Sequence, residues 1–240
     1  MATFLFSAAC LINLATFFIN NQRNASFNPT NDTLRVRHTA NFEITGDGSS
    51  ANWNSSEWLP LSQEKDSGVA YKTKLKMLYS DSGIYCLYYC EDNQITATVK
   101  EDFLDLWRGD VVEAFLWPDE SETIYFEYEL SPLNYELPIL VPNNKGKFLG
   151  WRPWHYEGNR KVKHLVHVNR NRDSVTSWTA EFFIPYPLLK PLNNVPPQKG
   201  TSWRANFYRI DYDHGESSWE WQKVRTNFHD YESFGYLVFD

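Results

Sequence analysis

From residue 69 to residue 79 the chain reads VAYKTKLKMLY, with Val69, Tyr71, Thr73, Leu75, Met77 and Tyr79 separated by three lysines. Side chains of a strand point to opposite faces in turn, so this period of two specifies a strand with one buried face. The turn Asp81-Ser82-Gly83 follows. Residues 84–91, IYCLYYCE, are then apolar on both faces and read as a central strand covered on both sides. Alternation returns at 124–130, 162–168, 178–184, 203–212 and 219–224, and residues 34–44 read as a first strand. No stretch carries an amphipathic helical stripe of any length, and residues 186–192 read as one helical turn. Many short strands between Gly, Pro and Asp turns predict an all-β fold, an antiparallel β-sandwich with short helical turns. No internal repeat and no mid-chain linker interrupts it, which gives one domain over residues 34–240.

The first twenty residues are of another kind. Residues 1–19, MATFLFSAACLINLATFFI, are almost wholly apolar, and a polar stretch follows. The run is shorter than the roughly 20 residues a spanning helix needs, and it contains Asn13. Residues 1–20 therefore read as a signal peptide or apolar leader, although no positive n-region precedes the apolar run. Residues 21–33 read as a linker. The expected location is secreted, periplasmic or cell-surface, with no transmembrane span in the mature protein. The net charge of −7 comes without any clustered Lys and Arg, which argues against nucleic acid and against an anionic membrane surface. Cys86 and Cys90, four residues apart on one strand, are separated by roughly 13 Å, beyond disulfide reach, and read as buried free thiols.

The chemistry concentrates around residues 106–118, LWRGDVVEAFLWP. A turn, Trp107-Arg108-Gly109-Asp110, leads into a strand whose one face carries Val111, Glu113, Phe115 and Trp117. A carboxylate in that aromatic row needs a partner, either a protein donor or a ligand hydroxyl. Aromatics make up 17% of the chain, and Trp107, Trp151, Trp154, Trp219, Trp221 and Phe228 fall in or beside turns. Exposed aromatic clusters mark binding sites. A sugar ring offers such a cluster an apolar C–H face and a rim of hydroxyls. Covering about 60 Å² of one face contributes ~1.5 kcal/mol. Hydrogen bonds to charged groups add to this, and association entropy removes part of it, leaving millimolar to micromolar affinity. Glu113, Glu127, Glu129 and Glu181 are strand carboxylates, the residue type that a glycosidase pair requires. No G-x-S-x-G, P-loop, G-x-G-x-x-G or H-E-x-x-H occurs. Glu91, Asp92, Asp102 and Asp105 in one loop region make calcium a candidate, with no cofactor certain.

Several motifs, in this order, carry a family likeness. A hairpin strand ends Tyr85-Cys86-Leu87-Tyr88-Tyr89-Cys90-Glu91-Asp92. Trp107 precedes D-x-V-E-x-F-L (Asp110, Val112, Glu113, Phe115, Leu116). Then come W-T-A-E-F-F-I-P at 178–185, G-x-x-W-R-x-N-F-x-R at 200–209 and F-H-x-x-x-x-F-G-x-L-x-F at 228–239. Over about residues 40–240 the chain resembles the family 9 carbohydrate-binding modules and their relatives in secreted, mainly Bacteroidetes-type proteins. The resemblance implies a β-sandwich that binds sugars, often at chain ends, with calcium in some members. It places the first of two clamping tryptophans on Trp107 and the second on Phe228, a smaller face without an N–H. It places the sugar-binding carboxylate on Glu113, an arginine of the next strand on Glu127, and a glutamine near Tyr208. Residues 131–159, with Trp151 and Trp154, look additional to the minimal module.

The expected ligand set is therefore Trp107, Phe228, Trp151 and Trp154 for stacking, with Glu113, Asn206 and Arg209 for hydrogen bonding and Tyr208 beside them. The expected function is non-catalytic carbohydrate binding in support of carbohydrate catabolism, in association with glycan-degrading enzymes. One alternative is a glycan-active hydrolase using Glu113 and Glu127. Another is a haem-binding electron-transfer sandwich with Met77 as ligand.

Overall fold

The alternating segments pair into two layers. A computed structural model describes residues 32–240 except 69, 145, 146, 155, 156 and 191. The leader expected over residues 1–20, and all but the last two residues of the linker, lie outside the described residues. In chain order the strands begin β1 (Thr33–His38), β2 (Leu59–Lys65), β3 (Thr73–Tyr79), β4 (Gly83–Glu91) and β5 (Val111–Trp117). Next come β6 (Ile124–Leu130), β7 (Glu136–Asn144), β8 (Lys147–Phe148), β9 (Arg152–Pro153) and β10 (Lys163–Asn171). The remainder holds β11 (Ser174–Pro185), the one-turn helix α1 (Tyr186–Leu189), β12 (Ser202–Asp211), β13 (Ser217–Glu220) and β14 (Gly235–Phe239).

The first sheet runs β7–β6–β5–β12–β14 with antiparallel neighbours, and β13 continues beside the far end of β12. The second runs β10–β11–β4–β3, also antiparallel. Two strands cross between the layers. β2 pairs with β3 through residues 59–61 and with β13 through residues 62–65. β1 pairs with β14 at one end and with β3 at the other, and both pairings are parallel. The sandwich is thus mixed at one seam, where alternation alone suggested antiparallel pairing throughout. Neither partner of β1 is joined to it by a hairpin, so no tight turn fixes their relative direction.

Between the layers Val112, Ala114 and Leu116 of β5 and Phe126, Tyr128 and Leu130 of β6 meet Cys86, Tyr88 and Cys90 of β4 and Trp178, Ala180 and Phe182 of β11. Met77 packs in the same core. Cys86 and Cys90 are buried free thiols. The opposite face of β4 is covered too: Tyr85 and Leu87 lie under Ile44 and Trp53. Glu181 holds that cover. Its Oε2 accepts the backbone N–H groups of Thr45 (2.9 Å), Gly46 (2.7 Å) and Gly48 (3.3 Å), and its Oε1 accepts the Trp53 indole at 2.8 Å. This strand carboxylate is structural, far from the face that carries Glu113. Among the described residues no helix is long and apolar enough to cross a membrane.

Candidate functional site

The outer face of the first sheet is where the apolar pattern breaks. Val111, Phe115, Trp117, Tyr125, Leu137, Ile139 and Tyr208 form a second buried cluster there. The same alternation turns Glu113 of β5 and Glu127 and Glu129 of β6 to that face. Glu113 sits directly opposite Glu129 in the ladder, and Phe115 opposite Glu127. Above this floor is an open trough of about 690 Å³, lined also by Trp107, Phe148, Trp151, Phe228 and His229. Its volume lies in the range of small-ligand sites.

Trp107 is held by the turn that precedes β5. Residues 106–108 make a 3₁₀ turn closed by Gly109 N–H to the Leu106 carbonyl at 3.0 Å. The buried Asp110 carboxylate accepts the backbone N–H of Thr96 and, at 2.9 Å, that of Tyr212. Gly109 is needed for close approach, since a Cβ there would come within 3.0 Å of the Thr96 carbonyl oxygen and Ala97 Cα. The Arg108 guanidinium lies 4.5 Å from the centre of the Trp107 ring. Trp107 itself is 38% exposed at the rim.

The opposite wall is built from β12 upward. Phe228 stacks on Tyr208 with ring centres 3.9 Å apart and planes 11° from parallel. The Tyr208 hydroxyl donates to the Phe228 carbonyl at 2.9 Å and accepts Asn206 Nδ2 at 2.7 Å. Asn206 Nδ2 also donates to the Gln222 carbonyl, while Oδ1 accepts the N–H groups of Phe207 and Gln222. Asn206 and Tyr208 are therefore buried supports beneath Phe228, not ligand-facing groups. His229 Nδ1 lies 2.6 Å from the Tyr125 hydroxyl, and the ring stacks on Phe148 at 4.2 Å. Burial pushes His229 down to about 4, so it is neutral at pH 7.

The floor is electrostatically unusual. Glu113, Glu127 and Glu129 are 3%, 4% and 1% exposed. Burial pushes Glu113 up to about 8. Burial also raises Glu127 and Glu129 well above the carboxylate range, and proximity to Glu113 adds to both; the hydrogen bond between them raises Glu127 further and lowers Glu129. Oε2 of both Glu127 and Glu129 is buried and receives no N–H among the described residues; the two carboxyls hydrogen-bond each other, and Glu129 accepts the Trp107 backbone N–H. His229 Nδ1 stops 3.8 Å from Glu127 Oε2. The rim lysines are engaged elsewhere, Lys65 with Glu216 at 2.9 Å and Lys223 with Glu64.

Of the residues expected at the site, Trp107, Glu113, Trp151 and Phe228 converge on the trough. Arg209 does not. It is fully buried on the inward face of β12, donating to Asp211 at 2.6 Å, Asp92 at 3.1 Å and the Glu91 carbonyl at 2.6 Å. Asn206 and Arg209 are three apart on one strand and so face opposite ways. Trp154 is also elsewhere: its indole N–H donates to the Leu188 carbonyl at 2.9 Å and the ring packs against the inter-sheet core. Glu129, His229 and Phe148 were not among the expected ligand residues. Glu129 was readable, because it shares a strand face with Glu127; the other two come from segments without period.

Glu91, Asp92, Asp102 and Asp105 do not gather as a calcium site. Asp102 accepts the Glu136 N–H and Asp105 pairs with Arg108. The carboxylates that do gather are Asp92, Asp211 and Asp213, within 4.8 Å of one another. All six of their oxygens already accept hydrogen bonds, from Gln94, Trp178, Arg209, the Asp213 N–H, Thr96 and Tyr71. The Arg209 guanidinium supplies a cation to this group, bound to both Asp92 and Asp211.

Comparison with known proteins agrees with this architecture. The family model described as carbohydrate family 9 binding domain-like matches residues 44–239. A protein from Bacteroides uniformis, solved as a candidate carbohydrate-binding protein, superposes with a TM-score of 0.72 over 87% of this chain and 99% of its own, at 19% identity. A family 9 module from Caldicellulosiruptor kristjanssonii, solved with cellotriose, gives 0.59 over 87% and 93%, at 15% identity. The same organism's module solved with glucose gives 0.57 over 86% and 96%, at 15% identity. An extracellular protein of Arthroderma benhamiae is 28% identical over 116 residues, which are 44% of this chain and 47% of that protein. The chain thus spans about half the length of that curated relative.

Proposed function

The chain belongs to the carbohydrate family 9 binding domain-like family, and from that premise we propose that the outer trough binds a carbohydrate without transforming it. The observation that carries this reading is the convergence of Trp107, Phe148, Trp151 and Phe228 around three buried carboxyl groups of the trough floor. Aromatic faces suit the C–H face of a sugar, and buried carboxyl oxygens suit its hydroxyls. Two covered faces contribute about 3 kcal/mol at ~25 cal/mol/Å². Hydrolysis by paired carboxylates requires one group held ionised and another held protonated. Here all three are raised together, by the same burial, which supports binding over cleavage. The extracellular relative supports a role outside the cell, where the domain would hold glycan near degrading enzymes in carbohydrate catabolism.

Calorimetric titration with a panel of oligosaccharides tests this. At least one is expected to bind in the millimolar to micromolar range, with about tenfold weaker binding by Trp107→Ala. A protein that binds none of them, or a variant that binds as well as wild type, would sink the reading. Reducing-sugar release abolished by Glu113→Gln would replace it with the hydrolase.

A further inference from the structure

Resting on the carbohydrate reading above, we infer that the trough selects a saccharide bearing a free amino group, with the ammonium seated among Glu113, Glu127 and Glu129. The three carboxyls line one open cavity, each more than nine-tenths buried. Glu113 and Glu129 are directly opposed on neighbouring strands, a relation that puts their Cβ atoms roughly 5 Å apart, so one small cation can reach both. Among the described residues no N–H reaches Oε2 of Glu127 or Glu129, and the two carboxyls hydrogen-bond each other through a shared proton.

Among the described residues no cation pairs with the trio. The titratable groups around the trio are Tyr125 on β6, Tyr208 on β12, Glu220 on β13 and His229 on the closing segment. Burial holds both tyrosines protonated and His229 neutral, and Glu220 is another acid, raised to about 7. The trio also feels Tyr212 and Asp105 beyond it, neither a cation. The rim lysines Lys65 and Lys223 are paired with Glu216 and Glu64.

An alkylammonium answers this arrangement better than a hydroxyl does. It brings three donors together with the charge that lets the raised carboxyls ionise and become pure acceptors. Its aromatic neighbours add cation–π attraction. A divalent cation fits less well. It asks for six to eight oxygens in one shell; the trio offers six at most, the aromatic walls add none, and the carbonyls of β5 and β6 are spent on the sheet ladder.

The test compares three trisaccharides at pH 7 by calorimetry: glucosamine trimer, its fully N-acetylated form, and cellotriose. The glucosamine trimer is expected to bind wild type about tenfold tighter than either neutral trimer, with the advantage shrinking as salt is raised. Glu127→Gln/Glu129→Gln is expected to erase the difference between the amino and the neutral trimers. Glu113→Gln is expected to reduce it, which guards against a double variant that fails to fold. If wild type binds a neutral trimer as tightly as the amino one, the amino-group inference falls and the carbohydrate reading stands. If none of a broad saccharide panel binds, both fall. If calcium chloride binds in the trough and chelation removes the amino preference, the inference also falls.

Discussion

Replacing Glu113 with glutamine should change how stability depends on pH more than it changes stability itself. Burial raises the Glu113 carboxyl from 4.5 to about 8 in the folded chain. Between those values the folded state holds a proton that the unfolded state has released. Unfolding free energy therefore falls as pH rises through this window, and the stabilisation is complete only below about 4.5. At ~1.4 kcal/mol per pH unit, the span from pH 5 to pH 8 is worth about 3.5 kcal/mol for an isolated group. Glu127 and Glu129 share the site and the protons, which reduces the part assignable to Glu113 to roughly 2–3 kcal/mol. Glutamine matches the protonated acid in shape and does not titrate. Urea denaturation at pH 5 and pH 8 checks this. Wild type and Glu113→Gln should be nearly equal at pH 5, and the variant should be more stable by about 2–3 kcal/mol at pH 8. Equal pH slopes in the two proteins would mean that Glu113 is not held in a desolvated site without a cation, and the electrostatic account of the trough would fail.

Three further outcomes follow from the same geometry. Arg209→Leu leaves Asp92 and Asp211 buried without their cation and should cost about 3–5 kcal/mol in urea denaturation; a loss under 1 kcal/mol would show that the pair is solvated. Glu181→Ala strands the Trp53 indole and three backbone N–H groups, and should cost roughly 3–5 kcal/mol with faster amide exchange at Thr45, Gly46 and Gly48. Unchanged exchange there would contradict the role given to Glu181. Trp107→Ala, at an exposed rim position, should alter stability by about 0.5 kcal/mol or less while weakening saccharide binding about tenfold; a large drop in stability would make its binding loss uninterpretable as stacking and would argue for a core role.

The layers of this fold were legible because period two survives in nearly every strand, from Thr73–Tyr79 to Ile124–Leu130. The central place of Gly83–Glu91 was legible from its two apolar faces. The direction of Thr33–His38 was not, because its partners are brought to it by the closing of the sandwich rather than by a turn. At the site, Trp107 and Glu113 could be read as neighbours from one short turn and one strand face. Arg209 is buried between the layers and not at the trough, as its odd spacing from Asn206 along one strand already implies. Trp151 and Trp154 were indistinguishable in sequence, since the segment after Glu136–Asn144 has no period to say which ring turns to the trough. The opposition of Glu113 and Glu129 depends on a ladder register set by the turn between β5 and β6, which alternation along either strand alone does not fix.

The central claim, a saccharide seated in the outer trough, is tested most directly by tryptophan indole resonances. The chain has ten tryptophans. With ¹⁵N-labelled tryptophan and a saturating amount of the tightest-binding oligosaccharide, the indole signals of Trp107 and Trp151 should shift. Those of Trp53, under the cover of the second sheet's far face, and Trp178, between the sheets, should stay in place. Shifts confined to Trp53 or Trp58, with Trp107 and Trp151 unmoved, would place the ligand on the opposite face and contradict the account.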